Sequence, residues 1–227
     1  MKANIYEIFV SIQGEGLYAG QKQLFVRFAG CDLACQYCDE PASKGGGKLR
    51  SLSEVKKTME KVCSRERTRA VSFTGGEPLL QAEALKALAL HARRLGLKTH
   101  LETNGVRWRE LKRIAGAFDV IAADIKLPAS SARDFWTEHA AFLAAAPEKT
   151  FVKVVVTSKT AAAEFNKAVN VVSRVRGAIP FFIQPATPKG GVRPPSRAKL
   201  DSFYRLAALK LEDVRILPQL HKLWGIK

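Results

Sequence analysis

The feature that most limits what this chain can fold into is a regular alternation of short apolar runs with longer amphipathic stretches. Strand-like runs are read at residues 24–28, 70–73, 98–101, 120–123, 151–156 and 181–183. Helix-like stretches lie between or after them, at 52–62, 80–95, 108–115, 132–144, 161–175 and 196–209, with Ser51 or Ser53 as a candidate cap for the first. Six strand-helix units over residues 24–209 take about 31 residues each, close to the unit length of an eightfold barrel of about 250 residues. A chain of 227 residues is too short to close such a barrel. The expected fold is therefore an α/β structure, an incomplete, open parallel β/α barrel of about six units, in one domain over residues 1–227. Extended segments at 6–16 and 214–222 are left to cap the opening.

The unusual residues fall just after the predicted strands. Cys31, Cys35 and Cys38 follow the first, Thr74-Gly-Gly-Glu-Pro78 the second, Glu102-Thr-Asn-Gly105 the third, Asp124-Ile-Lys126 the fourth and Gln184-Pro185 the sixth. In parallel α/β folds the carboxyl ends of the strands carry the active site, so these segments should converge in space. Loops rich in Gly and Pro at 43–47 and 187–195 are placed to cover that face.

Cys31-x3-Cys35-x2-Cys38 puts three thiols on one loop. An iron–sulfur cubane normally takes four protein thiolates, so three leave one iron open for chemistry. Zinc is the competing reading, with Cys63 or a histidine as the fourth ligand. Cys63, however, stands at an inward-facing helical position, where a lone cysteine behaves as a small hydrophobe.

The three-cysteine loop with aromatic Tyr37 before its last Cys, together with Gly75-Gly-Glu-Pro78 after the second strand, resembles the radical S-adenosylmethionine (SAM) superfamily. The blocks Phe9-Val-Ser-Ile-Gln-Gly-Glu-Gly16, Phe25-Val-Arg-Phe-Ala-Gly-Cys31, Cys38-Asp39, Lys126-Leu-Pro-Ala-Ser-Ser131 and Leu217-Pro-Gln-Leu-His-Lys222 are similar to those of the 7-carboxy-7-deazaguanine synthase family. The resemblance implies a [4Fe–4S] cluster on Cys31, Cys35 and Cys38, and SAM against Tyr37, Cys38, Asp39, Gly76, Glu77, Asp124, Ile125, Lys126 and Gln184. It implies a homodimer and a lyase that converts 6-carboxy-5,6,7,8-tetrahydropterin to 7-carboxy-7-deazaguanine with loss of ammonia, toward 7-deazapurines such as queuosine or archaeosine. A different small radical SAM enzyme, such as a glycyl-radical activase, and a zinc or cluster protein bound to RNA are the alternatives.

For the substrate the resemblance points to Ile12, Gln13, Gly14, Glu15, Arg27 and Thr74. The residue types suit the task. Arg27 is a lone charge inside an apolar strand, and its guanidinium can fork onto a carboxylate; an internal ion pair with Glu15 or Asp32 is the other reading. Gln13 to Glu15 offer an amide, a backbone and a carboxylate to a pterin edge, or else form a hairpin turn. Glu77 is read as a cofactor contact or as a turn carboxylate, and His221 as a core residue or a site residue. The family commonly carries Thr, ligating Mg2+, where this chain has Glu40; a carboxylate is also a hard-oxygen ligand, so Glu40 keeps the metal expectation open.

The formal net charge is +16, and residues 151–227, with 14 basic and 4 acidic side chains, carry most of it. These cations are scattered, with no interleaved aromatic series, which favours a solvated surface and docking of an acidic flavodoxin or ferredoxin over direct nucleic-acid binding. No run approaches the length of a membrane span and the first residues lack an apolar signal stretch, so a cytoplasmic location is expected.

Overall fold

A computed structural model describes residues 1–226. The chain opens with β1 (Lys2–Ile12), β2 (Lys22–Phe28) and β3 (Lys48–Ser51), followed by α1 (Leu52–Glu66). Then come β4 (Ala70–Gly75), α2 (Ala82–Arg94), β5 (Lys98–Thr103), α3 (Trp108–Ile114), β6 (Val120–Asp124), a single turn α4 (Pro128–Ser131) and α5 (Trp136–Ala145). The last part holds β7 (Thr150–Val156), α6 (Ala162–Arg176), β8 (Phe181–Pro185), α7 (Arg197–Ala208), β9 (Val214–Ile216) and the short α8 (Leu220–Leu223).

One sheet runs in the order β3-β1-β2-β4-β5-β6-β7-β8-β9. From β2 to β9 every neighbouring pair is parallel, while β1 is antiparallel to both β2 and β3. Among the described residues β3 and β9 are its two edges, so the barrel is open. Six parallel strands each lead into a helix, in agreement with the six expected units. β9 falls within the extended segment expected at 214–222, β1 overlaps the one expected at 6–16 but starts earlier, and β3 is the addition. β3 is a mostly polar edge strand of four residues, and β9 is only three residues long, too short for an apolar pattern to show.

Local chemistry sets the helix boundaries. Ser51 accepts the Glu54 amide, and the Glu54 carboxylate accepts the Ser51 amide in return, a capping box that starts α1. Leu52, Val55, Met59 and Cys63 then fall on one face of α1 and are buried against the sheet. The helix expected at 132–144 starts later, at Trp136, because Pro128 opens the separate turn α4 and Ala132 ends it in the left-handed region (φ 58°).

Strand parity divides the interior. Leu24, Val26, Phe28, Val71, Phe73, Leu101, Ile121, Val152, Val154 and Ile183 belong to the main core with the helices. The alternate positions face the concave side, where Ala122, Phe151 and Phe182 form a separate small apolar cluster. One step further along, at the carboxyl ends, the same parity presents Arg27, Thr74, Glu102, Asp124, Lys153 and Gln184 to a single cavity.

Candidate active site

The cavity gathers segments far apart in sequence. Cys31, Cys35, Tyr37, Cys38, Asp39 and Glu40 enter it from the loop after β2, Thr74 and Gly76 from the end of β4, and Asp124 and Lys126 from β6. Ile12, Gln13, Gly14 and Glu15 enter from the end of β1, Arg27 from β2, Gln184 from β8 and His221 from α8. Two expected contacts do not line it. Ile125 is fully buried in the core, and Glu77, also 0% exposed, turns its carboxylate into the protein.

Glu77 accepts from the Leu79 amide (2.9 Å), the Asn104 amide (2.8 Å) and the Thr103 hydroxyl (2.9 and 3.0 Å). It therefore caps the turn after β4 and ties it to the end of β5. Burial pushes its pKa up to about 7 against these bonds, and the Asp32 carboxylate adds to the rise. The motif glycines serve the protein's own backbone: a Cβ on Gly76 would stand 2.3 Å from the Gly30 carbonyl oxygen, and Gly75 has φ +156° with Phe28 as close. The turn after β4 is thereby pressed onto the loop that carries the cysteines, where the Glu77 amide donates to Gly30 (2.8 Å).

The three thiols stand on one loop facing the cavity, and Cys63 lies apart in the main core, which removes it as a fourth ligand. Burial pushes the Cys31 and Cys35 thiols up. Partly buried thiolates need a compensating cation, which iron held by the loop would supply, so the donor set fits a cluster. One carboxylate oxygen of Asp124 is buried without a hydrogen-bond partner. The other pairs with Lys126 (2.7 Å), whose ammonium lies 5.1 Å above the Tyr37 ring. An unmet buried acceptor beside the thiols fits a hydroxyl-bearing cofactor.

The opposite wall is built from charge. Glu15 is ion-paired to Lys153 and accepts from Gln219 (2.7 Å) and Gln184 (3.4 Å). Burial alone would raise the Glu15 carboxyl, but Lys153 and the amides override it and hold it at about 2. Gln13 donates to Glu102 (2.6 Å) and accepts the Glu15 amide (3.1 Å), so it is at once a turn residue and a site residue. His221 faces the cavity, close enough that a Cβ on Gly14 would meet its Nδ1 at 2.2 Å. The ligand atoms of Glu15, Asp39 and His221 lie within 4.8 Å of one another, a set that could hold a divalent ion, whereas Glu40 lines the cavity outside that set.

Arg27 is paired neither with Glu15 nor with Asp32. It bonds Glu7 (3.0 Å) and lies 5.6 Å over the Phe9 ring, while Asp32 bonds Arg107 and Asn104. Glu102 lines the cavity, as expected for its strand-end segment, while Lys153 and Gln219 also line it without having been singled out from the sequence. Lys153 carried the same signal as Arg27, a single charge inside an apolar strand.

The radical SAM superfamily model matches residues 25–167, and the chain belongs to that superfamily. The 7-carboxy-7-deazaguanine synthase of Geobacter sulfurreducens is 34% identical, with 98% of this chain and 97% of that protein covered. The protein of the same name from Methanopyrus kandleri is 36% identical, covering 97% and 92%. Within the superfamily, this chain is a member of the 7-carboxy-7-deazaguanine synthase family. The crystal structure of QueE from Escherichia coli shares the fold, with a TM-score of 0.65 at 19% identity over 97% of this chain and 95% of that one. A radical SAM methyltransferase from Sphaerobacter thermophilus also shares it, with a TM-score of 0.63 at 13% identity over 93% and 77%. No helix among the described residues is long and apolar enough to cross a membrane.

Proposed function

We propose that this enzyme converts 6-carboxy-5,6,7,8-tetrahydropterin to 7-carboxy-7-deazaguanine with release of ammonia, in one domain over residues 1–227. The carrying observation is that the three-thiol loop and the Glu15–Lys153, Gln13 and Arg27 groups border a single cavity. Cys31, Cys35 and Cys38 hold the [4Fe–4S] cluster. Tyr37, Asp39, Gly76, Asp124, Lys126 and Gln184 hold SAM, with Glu77 and Ile125 acting from behind through the turns they fix. When bound, the reduced cluster and SAM supply a 5′-deoxyadenosyl radical for hydrogen abstraction.

Ile12, Gln13, Gly14, Glu15 and Thr74 bind the pterin, and Arg27 takes its carboxylate. Arg27 is suited to this because Glu7 engages only its Nε, a geometry that leaves the guanidinium's outer edge for a bidentate fork. Ionised Glu15 accepts hydrogen bonds from the N–H edge of the pterin. Mg2+ binds with Glu40 as the family-position ligand; Glu15, Asp39 and His221 form a separate set that could hold a divalent ion instead.

The protein works in the cytoplasm as a homodimer, and an acidic flavodoxin or ferredoxin reduces it. Lys189, which donates to the Cys38 and Asp39 carbonyls (3.3 and 3.1 Å), and Lys44 at the cavity place positive charge beside the cluster loop for such a donor. The product feeds a 7-deazapurine such as queuosine or archaeosine. The test is an anaerobic assay of the cluster-reconstituted protein with SAM and the tetrahydropterin. Deazaguanine product is expected; SAM cleavage without that product would refute the substrate and leave the superfamily chemistry standing.

A further inference from the structure

His139 lies on α5, outside every motif that marks the site. It is 1% exposed, and its ring bridges two strand ends. Nδ1 is 2.9 Å from the Gly105 carbonyl oxygen, and Nε2 is 3.1 Å from the Lys126 amide nitrogen. A carbonyl only accepts and an amide N–H only donates. Nδ1 therefore carries the proton and Nε2 the lone pair, which fixes one neutral tautomer. Burial, which pushes the pKa of His139 down to about 4, keeps the ring in that state.

The two partners sit where the sheet gives out. The β5–β6 ladder ends at the pair Thr103–Ala123, so Gly105 and Lys126 lie past the last strand pair. His139 joins them there with its own donor and acceptor. The approach is close: Gly105 is left-handed (φ +68°), and a Cβ on it would come within 3.2 Å of Nδ1. On the far side of the joint, the Lys126 ammonium pairs with Asp124 and lies over the Tyr37 ring, and Tyr37 stands between Cys35 and Cys38. A continuous set of contacts thus runs from an outer helix to the cluster loop.

We propose that His139 is a positioning residue for SAM, holding the Asp124–Lys126 segment in the pose that presents Lys126 to the cofactor and to Tyr37. The inference rests on the proposed placement of SAM against residues 124–126. A role confined to docking α5 would lower stability without separating SAM affinity from pterin affinity.

The experiment compares His139→Phe, which keeps a ring and removes both hydrogen bonds, with His139→Gln, whose amide offers one donor and one acceptor. SAM binding is measured by equilibrium dialysis on cluster-reconstituted, unreduced protein, alongside the KM for the tetrahydropterin. The Phe variant is expected to bind SAM about tenfold more weakly, as for a lost pair of buried hydrogen bonds, with the pterin KM changed by less than about twofold. The Gln variant should recover most of that affinity. Unchanged SAM binding in the Phe variant, or equal losses in both variants, would overturn the proposal. Lys126→Ala separates the two failures. Unchanged SAM affinity there refutes the placement at 124–126 and the role of His139 with it, whereas a loss there but none in His139→Phe refutes His139 alone. Hydrogen exchange on the unsubstituted protein gives a reading that needs no variant to fold: the Lys126 amide should exchange slowly, and exchange at the rate of an exposed loop amide would overturn the proposal.

Discussion

Two carboxylates, one lining the cavity and one behind it, have opposite electrostatic fates. Glu77 is fully buried and Glu15 largely so, yet burial carries Glu77 up to about 7 while Glu15 is held at about 2. The difference is the partner. Glu77 has backbone amides and a hydroxyl, which only moderate its desolvation; Glu15 has the Lys153 ammonium. The two residues stand for two ways of building a site. Around Glu77, consecutive residues of the β2 and β4 loops fold on each other through glycines and amides. Around Glu15, side chains from β1, β7, β8 and the C-terminal segment meet through charge, Glu15 and Gln219 being 204 residues apart. A wall made of backbone turns tolerates loss of one hydrogen bond. A wall made of a buried ion pair does not tolerate loss of one ion.

The largest effect is therefore expected from Lys153→Met. It leaves Glu15 buried without its cation, a change that costs on the order of 3 kcal/mol. The pterin KM should rise far more than the SAM KM. The pH dependence gives the sign. Because the Glu15 pKa is depressed in the folded state, its stabilising contribution is complete above the ordinary carboxylate pKa and is lost as pH falls toward 2. In the variant that acid-side loss should vanish. Denaturant titrations between pH 3 and 8 check this, and wild-type and variant curves that fall in parallel on the acid side would break the distinction between the two walls.

Arg27→Ala comes next. Removing a carboxylate-binding guanidinium should raise the pterin KM by about tenfold to a hundredfold, with little change in the SAM KM. Stability should change less than in Lys153→Met, because Lys153 offsets the charges of Glu15, Asp124 and Glu102 together, whereas Arg27 faces Glu7. Steady-state kinetics with each substrate varied in turn is the measurement. Equal rises in both KM values would mean that the β2 strand end serves the cofactor wall as well as the pterin wall.

How much of this was legible follows the same division. The six parallel strands and their helices came through because each strand alternates between the helix-facing core and the concave side, leaving an apolar signature over five to seven residues. The thiol loop and the Gly-Gly-Glu turn came through because their residues are consecutive. Gln219 did not, since its importance lies in pairing with Glu15 across most of the chain, and no local spacing records that; Lys153 shows locally only as a lone charge in an apolar strand, which marks it without naming its partner. Glu77 shows the converse: a motif position marks a residue without saying which way its side chain points, and of its two readings the hydrogen bonds fit the turn carboxylate. The strand β3 escaped because its short pairing with β1 is imposed by the neighbouring strand rather than by its own sequence.

The smallest effect is expected on the backbone-built wall, from Thr103→Val. The substitution nearly preserves shape and removes the hydroxyl whose one proton is shared between the Glu77 oxygens and which accepts a long bond from the Gly105 amide (3.3 Å), while the Leu79 and Asn104 amides stay in place. The cost should be about 1 kcal/mol, near the worth of one buried hydrogen bond and well below the loss of the Glu15 cation. Its pH dependence should run opposite to that at Glu15. The Glu77 pKa is raised in the folded state, so the protein gains a proton there on folding; relative stability is greatest below the ordinary carboxylate pKa and declines as pH rises through about 7. Losing a hydrogen bond that favours the charged form pushes this pKa higher still. The difference in stability between wild type and variant should accordingly be largest above pH 7 and shrink below it, where Glu77 is protonated in both. A difference that stays constant from pH 5 to 8 would show that the Thr103 bond does not distinguish the two charge states, and the contrast between the walls would then rest on Lys153 alone.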